Sequence, residues 1–289
     1  MDNYGTAETV KLTESWPTDV PDAGFEWIEG FRSLGPKLKP VGTYLVSRQG
    51  PTHPIAFPDD LYETFANLSR DMSAVERFAS KFGNLRLVGE HFHRIGTHSA
   101  LTGERWDEWK IQLERFQTAV EMWFRLQERD TIWVKRFLAP LQGTGSPWIL
   151  QPPMRGDIRK PLEFGRTMVL KTINFELAGG LYAGQRCLEC DFTSEINCVS
   201  QTRAVVRSKN SGPLELAIVS TDLQKTVWLQ FAALVCGQRL MKKCEAKDCG
   251  QYMDVTDSAR PGARRMHSRC EERIRKQNYR DRQKRKTTQ

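Results

Sequence analysis

The stretch "ERWDEWKIQLERFQTAVEMWFRLQ", residues 104–127, has the strongest periodicity in the chain. Its large apolar side chains recur at alternating steps of three and four residues, which is the spacing of one face of an α-helix. They are Trp106, Trp109, Leu113, Phe116, Val120 and Trp123. A helix with such a stripe buries it against other helices, so we expect core tryptophans rather than an aromatic cage for a ligand. The stretch therefore predicts a mainly helical body.

Shorter helical patterns lie on both sides of this stretch. Upstream, Ser73 and Glu76 have the spacing of a capping box, and Gly83 can end the helix. The apolar face between them consists of Val75, Phe78, Ala79 and Phe82. Downstream, Thr221 and Asp222 can cap a helix that runs toward Met241. Its shared face consists of Leu223, Val227, Phe231 and Leu234.

The predicted fold class is mainly α with small β elements (α+β), with a helical N-terminal body and a small C-terminal zinc finger that carries a basic helix. The β-like runs are short and lie at 41–47, 203–207 and 214–219. We expect an N-terminal segment at 1–50, a mainly helical body at 51–240 and a zinc-finger-like, nucleic-acid-binding module at 241–289. Five prolines and four glycines between residues 139 and 165 predict an irregular stretch within the body.

The composition is typical of a soluble globular protein of one or two domains: 289 residues, 39% hydrophobic and 27% charged. The longest apolar run, 227–237, is far shorter than the roughly 20 residues that span a bilayer, and the N-terminus does not have the pattern of a signal peptide. These features predict a cytoplasmic protein with no membrane partner. Thiols stay reduced in that compartment, so paired cysteines there indicate a metal more often than a disulfide.

Three of the seven cysteines and one of the five histidines form two short-range pairs near the C-terminus. Four residues separate Cys244 from Cys249, two separate His267 from Cys270, and seventeen lie between the pairs. This arrangement suits a tetrahedral Zn²⁺ ion, and Gly250 suits a tight turn beside a metal-bound sulfur. We predict one structural zinc ion, because four protein ligands leave no open position for catalysis. Free thiols and an exposed histidine are the alternative.

The segment that follows is strongly basic. From Ser258 to Gln289 there are twelve lysines and arginines and three acids, a net charge of +9, whereas the whole chain carries +8. The residues before Ser258 therefore sum to −1. Such localised charge suits a polyanionic partner.

A helix beginning near Ser268 is expected to carry this charge, since Ser268 and Glu271 again have capping-box spacing. It is either a solvated tail or a helix whose charge is neutralised by phosphates. Asn278 is the best placed for contact with a base edge. The candidate nucleic-acid-binding residues are Arg264, Arg265, Arg269, Arg273, Arg275, Lys276, Asn278, Arg280 and Arg282.

Other groupings are weaker. Cys187 and Cys190 have a two-residue gap, but Cys198 and Cys236 form no second pair, and we interpret Cys236 as a small hydrophobic residue in an apolar helix. Whether these four cysteines form a second metal site stays open. We interpret the histidines of "HFHRIGTH", His91, His93 and His98, as ordinary partly buried side chains. No recognisable catalytic motif is present, so no catalytic residue is predicted.

The C-terminal order of elements resembles the CGNR-type zinc-finger proteins, a family of ABATE-like bacterial transcription regulators. The elements are Cys244 and Cys249, then "GQYMDVTDSARPGARR", then His267 and Cys270 leading into "EERIRKQNYRDRQKRK". The body is similar in outline, with "AVERFASKFGNLRL" before the tryptophan-rich helix. The CGNR tetrad is absent, and His267 stands where a cysteine is usual. The resemblance implies a mostly helical ligand-sensing N-terminal domain and a C-terminal finger that binds DNA.

Three functions follow as hypotheses. The first is a zinc-dependent DNA-binding transcriptional regulator whose partner is double-stranded DNA. The second is an RNA-binding protein that uses the same finger. The third is an enzyme or small-molecule receptor in the helical body, with the finger as a structural appendage. A small-molecule effector and a homo-oligomer are left open.

Overall fold

A computed structural model describes residues 18–34, 37–58, 60–85, 90–93, 100–139, 159–177, 203–208, 214–219, 223–236, 241–255 and 266–287. The fold of this part of the chain is mainly helical with small antiparallel sheets, as predicted. Its helices are α1 (Leu61–Ala66), α2 (Met72–Phe82), α3 (Trp106–Gln127), α4 (Thr131–Leu138), α5 (Pro161–Leu177), α6 (Leu223–Cys236) and α7 (Ser268–Thr287). Among these helices, none combines the length and the apolar composition that a bilayer crossing needs.

The strands form four small antiparallel sheets in the described ranges. They are β1 (Thr18–Pro21), β2 (Phe25–Leu34), β3 (Lys37–Ser47), β4 (Thr52–Ile55), β5 (Glu90–His93), β6 (Ala100–Arg105), β7 (Arg203–Ser208), β8 (Leu214–Val219), β9 (Met241–Lys243) and β10 (Tyr252–Asp254). The pairs are β1 with β4, β7 with β8 and β9 with β10, while β2, β3, β6 and β5 pair in that order and β5 pairs back to β2. All three predicted β-like runs lie in strands, namely β3, β7 and β8.

Helix α3 lies at the centre of the main core. Trp109, Leu113, Phe116 and Val120 are fully buried, and Trp106 and Trp123 pack partly buried against the same cluster. The Phe116 ring contacts Phe65 of α1 and both Trp228 and Phe231 of α6, with ring centroids 5.3, 4.9 and 5.5 Å away. The prediction of core tryptophans is confirmed.

Strand β6 leads directly into α3 and fixes where that helix begins. Leu45 and Tyr44 of β3 pair with Glu104 and Arg105 of β6. At Gly103 a Cβ atom would lie 2.7 Å from the Leu45 carbonyl oxygen, so only glycine allows the strands to approach this closely.

The flanking helices agree with the sequence patterns, but their ends differ. The N-cap of α2 is Asp71, whose side chain accepts a 2.8 Å hydrogen bond from the Ala74 amide, so the capping box predicted at Ser73 is wrong. Asp71 has the extended backbone of a cap, whereas Ser73 already lies inside the helix. Gly83 ends α2 with a φ of 90°, as predicted.

Helix α6 buries the predicted face, since Leu223, Val227, Phe231 and Leu234 are each no more than 1% exposed. Its span in the described ranges ends at Cys236, and Met241 begins β9 instead. Its proposed caps, Thr221 and Asp222, lie outside the described residues, as do positions 140–158 of the proline- and glycine-rich stretch. Pro161 is the first residue of α5, a position where the missing N–H costs nothing. The division of the chain at residues 50 and 240 stays a prediction.

A polar cluster lies within the apolar core. Arg115 and Glu176 are buried, with Arg115 Nη2 2.7 Å from Glu176 Oε1. Gln224 Nε2 donates to Glu176 Oε2 at 2.9 Å and to Gln112 Oε1 at 3.0 Å. Burial raises the pKa of the Glu176 carboxyl group, while the Arg115 charge opposes the rise. This cluster ties α3, α5 and α6 together.

Candidate metal centre

The first two candidate ligands lie on a hairpin turn. Strand β9 ends immediately before Cys244, and β10 pairs with it through Lys243 and Tyr252. The Cys244 amide donates to the Gln251 carbonyl at 2.9 Å, and the Cys249 amide donates to the Ala246 carbonyl at the same distance. Gly250 has a φ of 58°, which confirms the predicted left-handed turn after Cys249. The turn brings the two cysteines to one side of the hairpin.

The second pair of candidate ligands lies at the start of α7. Ser268 is the first helical residue, so the capping position before it is His267. The sequence pattern had predicted Ser268 at that position. The His267 carbonyl accepts hydrogen bonds from the amides of Cys270 at 2.9 Å and Glu271 at 3.0 Å. These bonds start the helix, and its first turn holds Cys270 near His267.

The structure brings all four predicted ligands together. One ligand atom from each of Cys244, Cys249, His267 and Cys270 lies within 4.8 Å of all the others. In a tetrahedron of zinc–sulfur bonds about 2.3 Å long, the sulfurs lie about 3.8 Å apart. The four ligand atoms would therefore need to move only a short distance toward one another to bind zinc. Cys244 and Cys270 are buried, and Cys249 and His267 are half-buried. The group can therefore hold a metal ion.

Two of the thiols have shifted acidities. Burial opposes ionisation of Cys244, but hydrogen bonds from the backbone of Ala246 and of His267, and from the side chains of His267 and Cys249, outweigh it and lower its pKa to about 6. Burial raises the pKa of Cys270, and the sulfurs of Cys249 and Cys244 raise it further. A Cys244 thiolate thus forms readily, whereas three neighbouring thiolates need a cation among them.

The His267 ring is oriented by residues outside the cluster. Its Nδ1 atom lies 3.5 Å from Cys249 Sγ. Its Nε2 atom lies 3.2 Å from the Tyr252 carbonyl oxygen and 3.3 Å from Glu63 Oε1. Both of those partners are acceptors and favour a proton on Nε2, so a neutral His267 ring would offer its Nδ1 lone pair to a metal ion among the sulfurs. Glu63 is not among the candidates from the sequence, because it lies 204 positions before His267 and is part of no motif.

The C-terminal module, residues 241–255 and 266–287, is docked against the body. Asn67 receives a 2.9 Å hydrogen bond from the Tyr252 amide and donates one of 3.1 Å to the Tyr252 carbonyl. Lys243 Nζ lies 3.0 Å from Glu121 Oε2, and the Tyr252 ring meets Phe124 edge-on at 5.6 Å. Helices α1 and α3 therefore both support the hairpin that carries Cys244 and Cys249.

The predicted nucleic-acid-binding residues lie along α7 as far as the structure describes them. The described side chains are all exposed: Arg269, Arg273, Arg275, Lys276, Asn278, Arg280 and Arg282. Arg264 and Arg265 lie outside the described residues. Among the described side chains, Lys276 Nζ lies 2.7 Å from Glu272 Oε1, one helical turn earlier. A role in binding nucleic acid stays a prediction for all of these side chains.

Most residues of the weaker candidate groups lie outside the described part of the chain. Cys236 is the last residue of the apolar helix α6, where its side chain is exposed. Its proposed partners Cys187, Cys190 and Cys198 lie outside the described residues, as does His98. His91 and His93 lie in β5, where the structure describes only the backbone.

No family model, curated protein or solved structure matches this chain. The resemblance of the C-terminal segment to CGNR-type zinc fingers therefore stays an expectation from its motifs, and the geometry of the four ligands is the main guide to function.

Proposed function

We propose that this chain is a zinc-dependent DNA-binding protein that acts as a transcriptional regulator. The observation that carries the proposal is the position of the metal-ligand cluster. Two of its ligands, His267 and Cys270, lie at the start of a 20-residue basic helix that is exposed along most of its described length. A metal ion there would fix the direction in which α7 leaves the module.

The donor set favours zinc over harder cations. Three thiols and an imidazole are ligands for Zn²⁺, whereas Mg²⁺ and Ca²⁺ prefer oxygen. Four protein ligands make a closed, structural site, since no position is left for a reactive water molecule. Apolar side chains of Ala246, Met253 and Val255 surround the buried sulfurs and limit the access of water to them.

Helix α7 has one packed side and a large exposed surface. From Ser268 to Gln283, only Cys270 is buried, and only Ile274 and Asp281 are half-buried. At about 100° per residue these three lie on one side of the helix. A basic helix without an apolar stripe gains little from further packing in the protein, which leaves its remaining surface available to a polyanion.

The cations of α7 whose side chains are described fall on two flanks of that exposed surface. The first flank carries Arg269, Arg273, Lys276 and Arg280, and the second carries Arg275, Asn278 and Arg282. The major groove of DNA is about 12 Å wide and accepts an α-helix lengthwise. A helix with cations on both flanks can contact the phosphates of both groove walls.

A ridge between the two flanks would face the bases in this orientation. It consists of Glu272, Tyr279 and Gln283, opposite the packed side. Tyr279 is 64% exposed, an unusual fraction for a large aromatic side chain. Asn278 and Tyr279 both line a groove beside Ile274, but Asn278 lies on the second flank, nearer to the packed side of the helix than Tyr279. The proposed base contacts are therefore the ridge residues in preference to Asn278.

A binding titration with duplex DNA of random sequence tests the proposal. We expect the affinity of the zinc-loaded protein to fall steeply with salt, because bound cations release counterions from the phosphates. The flank variant Arg273→Ala/Arg280→Ala should bind all sequences more weakly, with a salt slope smaller by roughly 0.9 for each lost phosphate contact. The ridge variant Tyr279→Ala/Gln283→Ala should keep the slope and change which sequences are selected from the pool.

A matched control removes exposed positive charge elsewhere. Arg166→Ala/Lys171→Ala on α5 lowers the net charge by the same amount and should leave DNA binding nearly unchanged. Equal weakening by this control would show that net charge, and not α7, attracts the DNA. Tight binding to structured RNA with no binding to the duplex would replace the proposal with the RNA-binding function.

A further inference from the structure

We propose that Glu63, on α1 of the body, is a positioning residue for the metal site, so that metal binding by the C-terminal module and its docking on the body are coupled. The proposal rests on the metal ion of the proposed function but not on DNA binding. It assigns to the body an indirect part in holding the metal, through the orientation of the His267 ring.

The first step is the geometry of His267. A neutral imidazole that offers Nδ1 to a metal must carry its proton on Nε2. The Nε2 atom here lies within 3.3 Å of Glu63 Oε1 and 3.2 Å of the Tyr252 carbonyl oxygen. A carboxylate that accepts such a proton fixes the ring orientation and raises the basicity of the metal-binding nitrogen.

The burial of this contact makes it effective. The side chains of His267 and Glu63 are only 14% and 20% exposed. Solvent therefore screens the interaction less than it would screen a surface pair. The negative charge of the carboxylate also stabilises any positive charge that the His267 ring acquires when the ring binds a cation.

Asn67 and Glu63 lie together on the face of α1 that contacts the C-terminal module. Asn67 follows Glu63 by one helical turn, and its side chain donates back to the Glu63 carbonyl at 2.9 Å. The same side chain pairs with both the amide and the carbonyl of Tyr252. Glu63 of α1 and Asn67, which caps the C-terminal end of α1, thus hold two parts of the module, the His267 ring and the backbone of β10.

The third step is the attachment of α1 to the body. The Tyr62 amide donates to Gln230 Oε1 at 3.0 Å, and Gln230 Nε2 donates to the Pro58 carbonyl at 2.7 Å. Phe65 packs against Phe78 and Phe116 in the main core. A helix of six residues has little stability of its own, so these contacts determine where Glu63 lies. Coupling between docking and metal binding must then act in both directions.

The test compares the zinc affinities of full-length variants by competition with a chromophoric chelator. Glu63→Ala should lower zinc affinity by about 10- to 100-fold, the usual effect of removing such a partner of a metal-bound histidine. Glu63→Gln keeps an acceptor oxygen and should recover part of the loss. The matched control is Glu121→Ala, which removes the contact with Lys243 at the same interface and touches no candidate ligand.

Cobalt substitution and nitrogen-15 NMR separate positioning from general damage. Glu63→Ala should keep the absorption bands of a three-sulfur, one-nitrogen Co²⁺ site at saturating metal. In the metal-free protein, NMR should show that His267 loses its preference for the Nε2–H tautomer. An affinity within threefold of the wild type, or an equal loss in Glu121→Ala, would overturn the assignment. A wild-type protein that binds no zinc would instead refute the metal site itself.

The reverse direction is tested by hydrogen exchange. Removing zinc should speed exchange of the α1 amides, including Asn67, whose amide donates to the Glu63 carbonyl at 3.1 Å. Amides of α2, which packs on β1 and β2, serve as the internal control and should change little. Unchanged exchange in α1 after complete zinc removal would refute the coupling.

Discussion

Replacing Cys244 and Cys249 together by serine is expected to abolish zinc binding, from about one ion per chain to almost none. Serine does not ionise near neutral pH and is a poor ligand for Zn²⁺, so only His267 and Cys270 would remain. Two ligands cannot complete the tetrahedron. Elemental analysis of the purified protein measures the change directly.

The loss of metal should also unfold the C-terminal module. Its own core consists of five buried residues, two of which are the candidate ligands Cys244 and Cys270. So small an apolar cluster does not offset the entropy of ordering the chain, and in isolated zinc-finger peptides the metal contributes about 10–16 kcal/mol at neutral pH. We expect circular dichroism to lose the signal of α7 while the helices of the body remain.

Cys236→Ser is the matched control, because Cys236 is an exposed cysteine at the end of α6. It should keep the full equivalent of zinc and the helical signal. The structural interpretation is contradicted if the wild type carries no metal or if the double variant retains one equivalent. A double variant that loses zinc but keeps α7 intact would show that the metal is not needed for folding.

Truncation of Phe116 to alanine is the second large effect, with an expected loss of about 3–5 kcal/mol in the free energy of unfolding. The ring is fully buried and contacts three other aromatic rings, so its removal leaves a cavity at the junction of α1, α3 and α6. Denaturant titration followed by tryptophan fluorescence provides the measurement, since Trp109 and Trp228 lie in the same core.

The control for this prediction is Ile132→Ala, whose side chain is 81% exposed and should change stability by less than about 0.5 kcal/mol. If Phe116→Ala does not fold, Phe116→Leu retains most of the buried volume and should show a smaller loss. A loss below about 1 kcal/mol for the alanine variant would contradict the central position of α3.

Several features were predictable because neighbours in the sequence create them. The stripe from Trp106 to Trp123 follows from the helical repeat, which requires no knowledge of the partner helices. The turn after Cys249 follows from Gly250, whose φ of 58° a residue with a side chain rarely adopts. The convergence of two ligand pairs was predicted from spacing, because zinc selects a small set of separations.

Other features could not be predicted from local patterns, because the backbone conformation or the tertiary packing determines them. Ser73 and Asp71 both precede the apolar face of α2, and only the backbone conformation selects Asp71 as the cap. Arg115 and Glu176 lie far apart in the sequence, and neither residue type predicts burial. Cys236 ends an apolar helix, yet its side chain is exposed there.

The sequence by itself determined the helical core, the four candidate metal ligands and the concentration of positive charge after them. Each depends on residue type and on spacing within a short stretch of the chain. Only the tertiary structure decided that α1 of the body lies beside the candidate metal site, because Glu63 and His267 are 204 positions apart. Packing of Phe65 in the main core and of Tyr252 against Phe124 brings them together, and neither contact has a local signature.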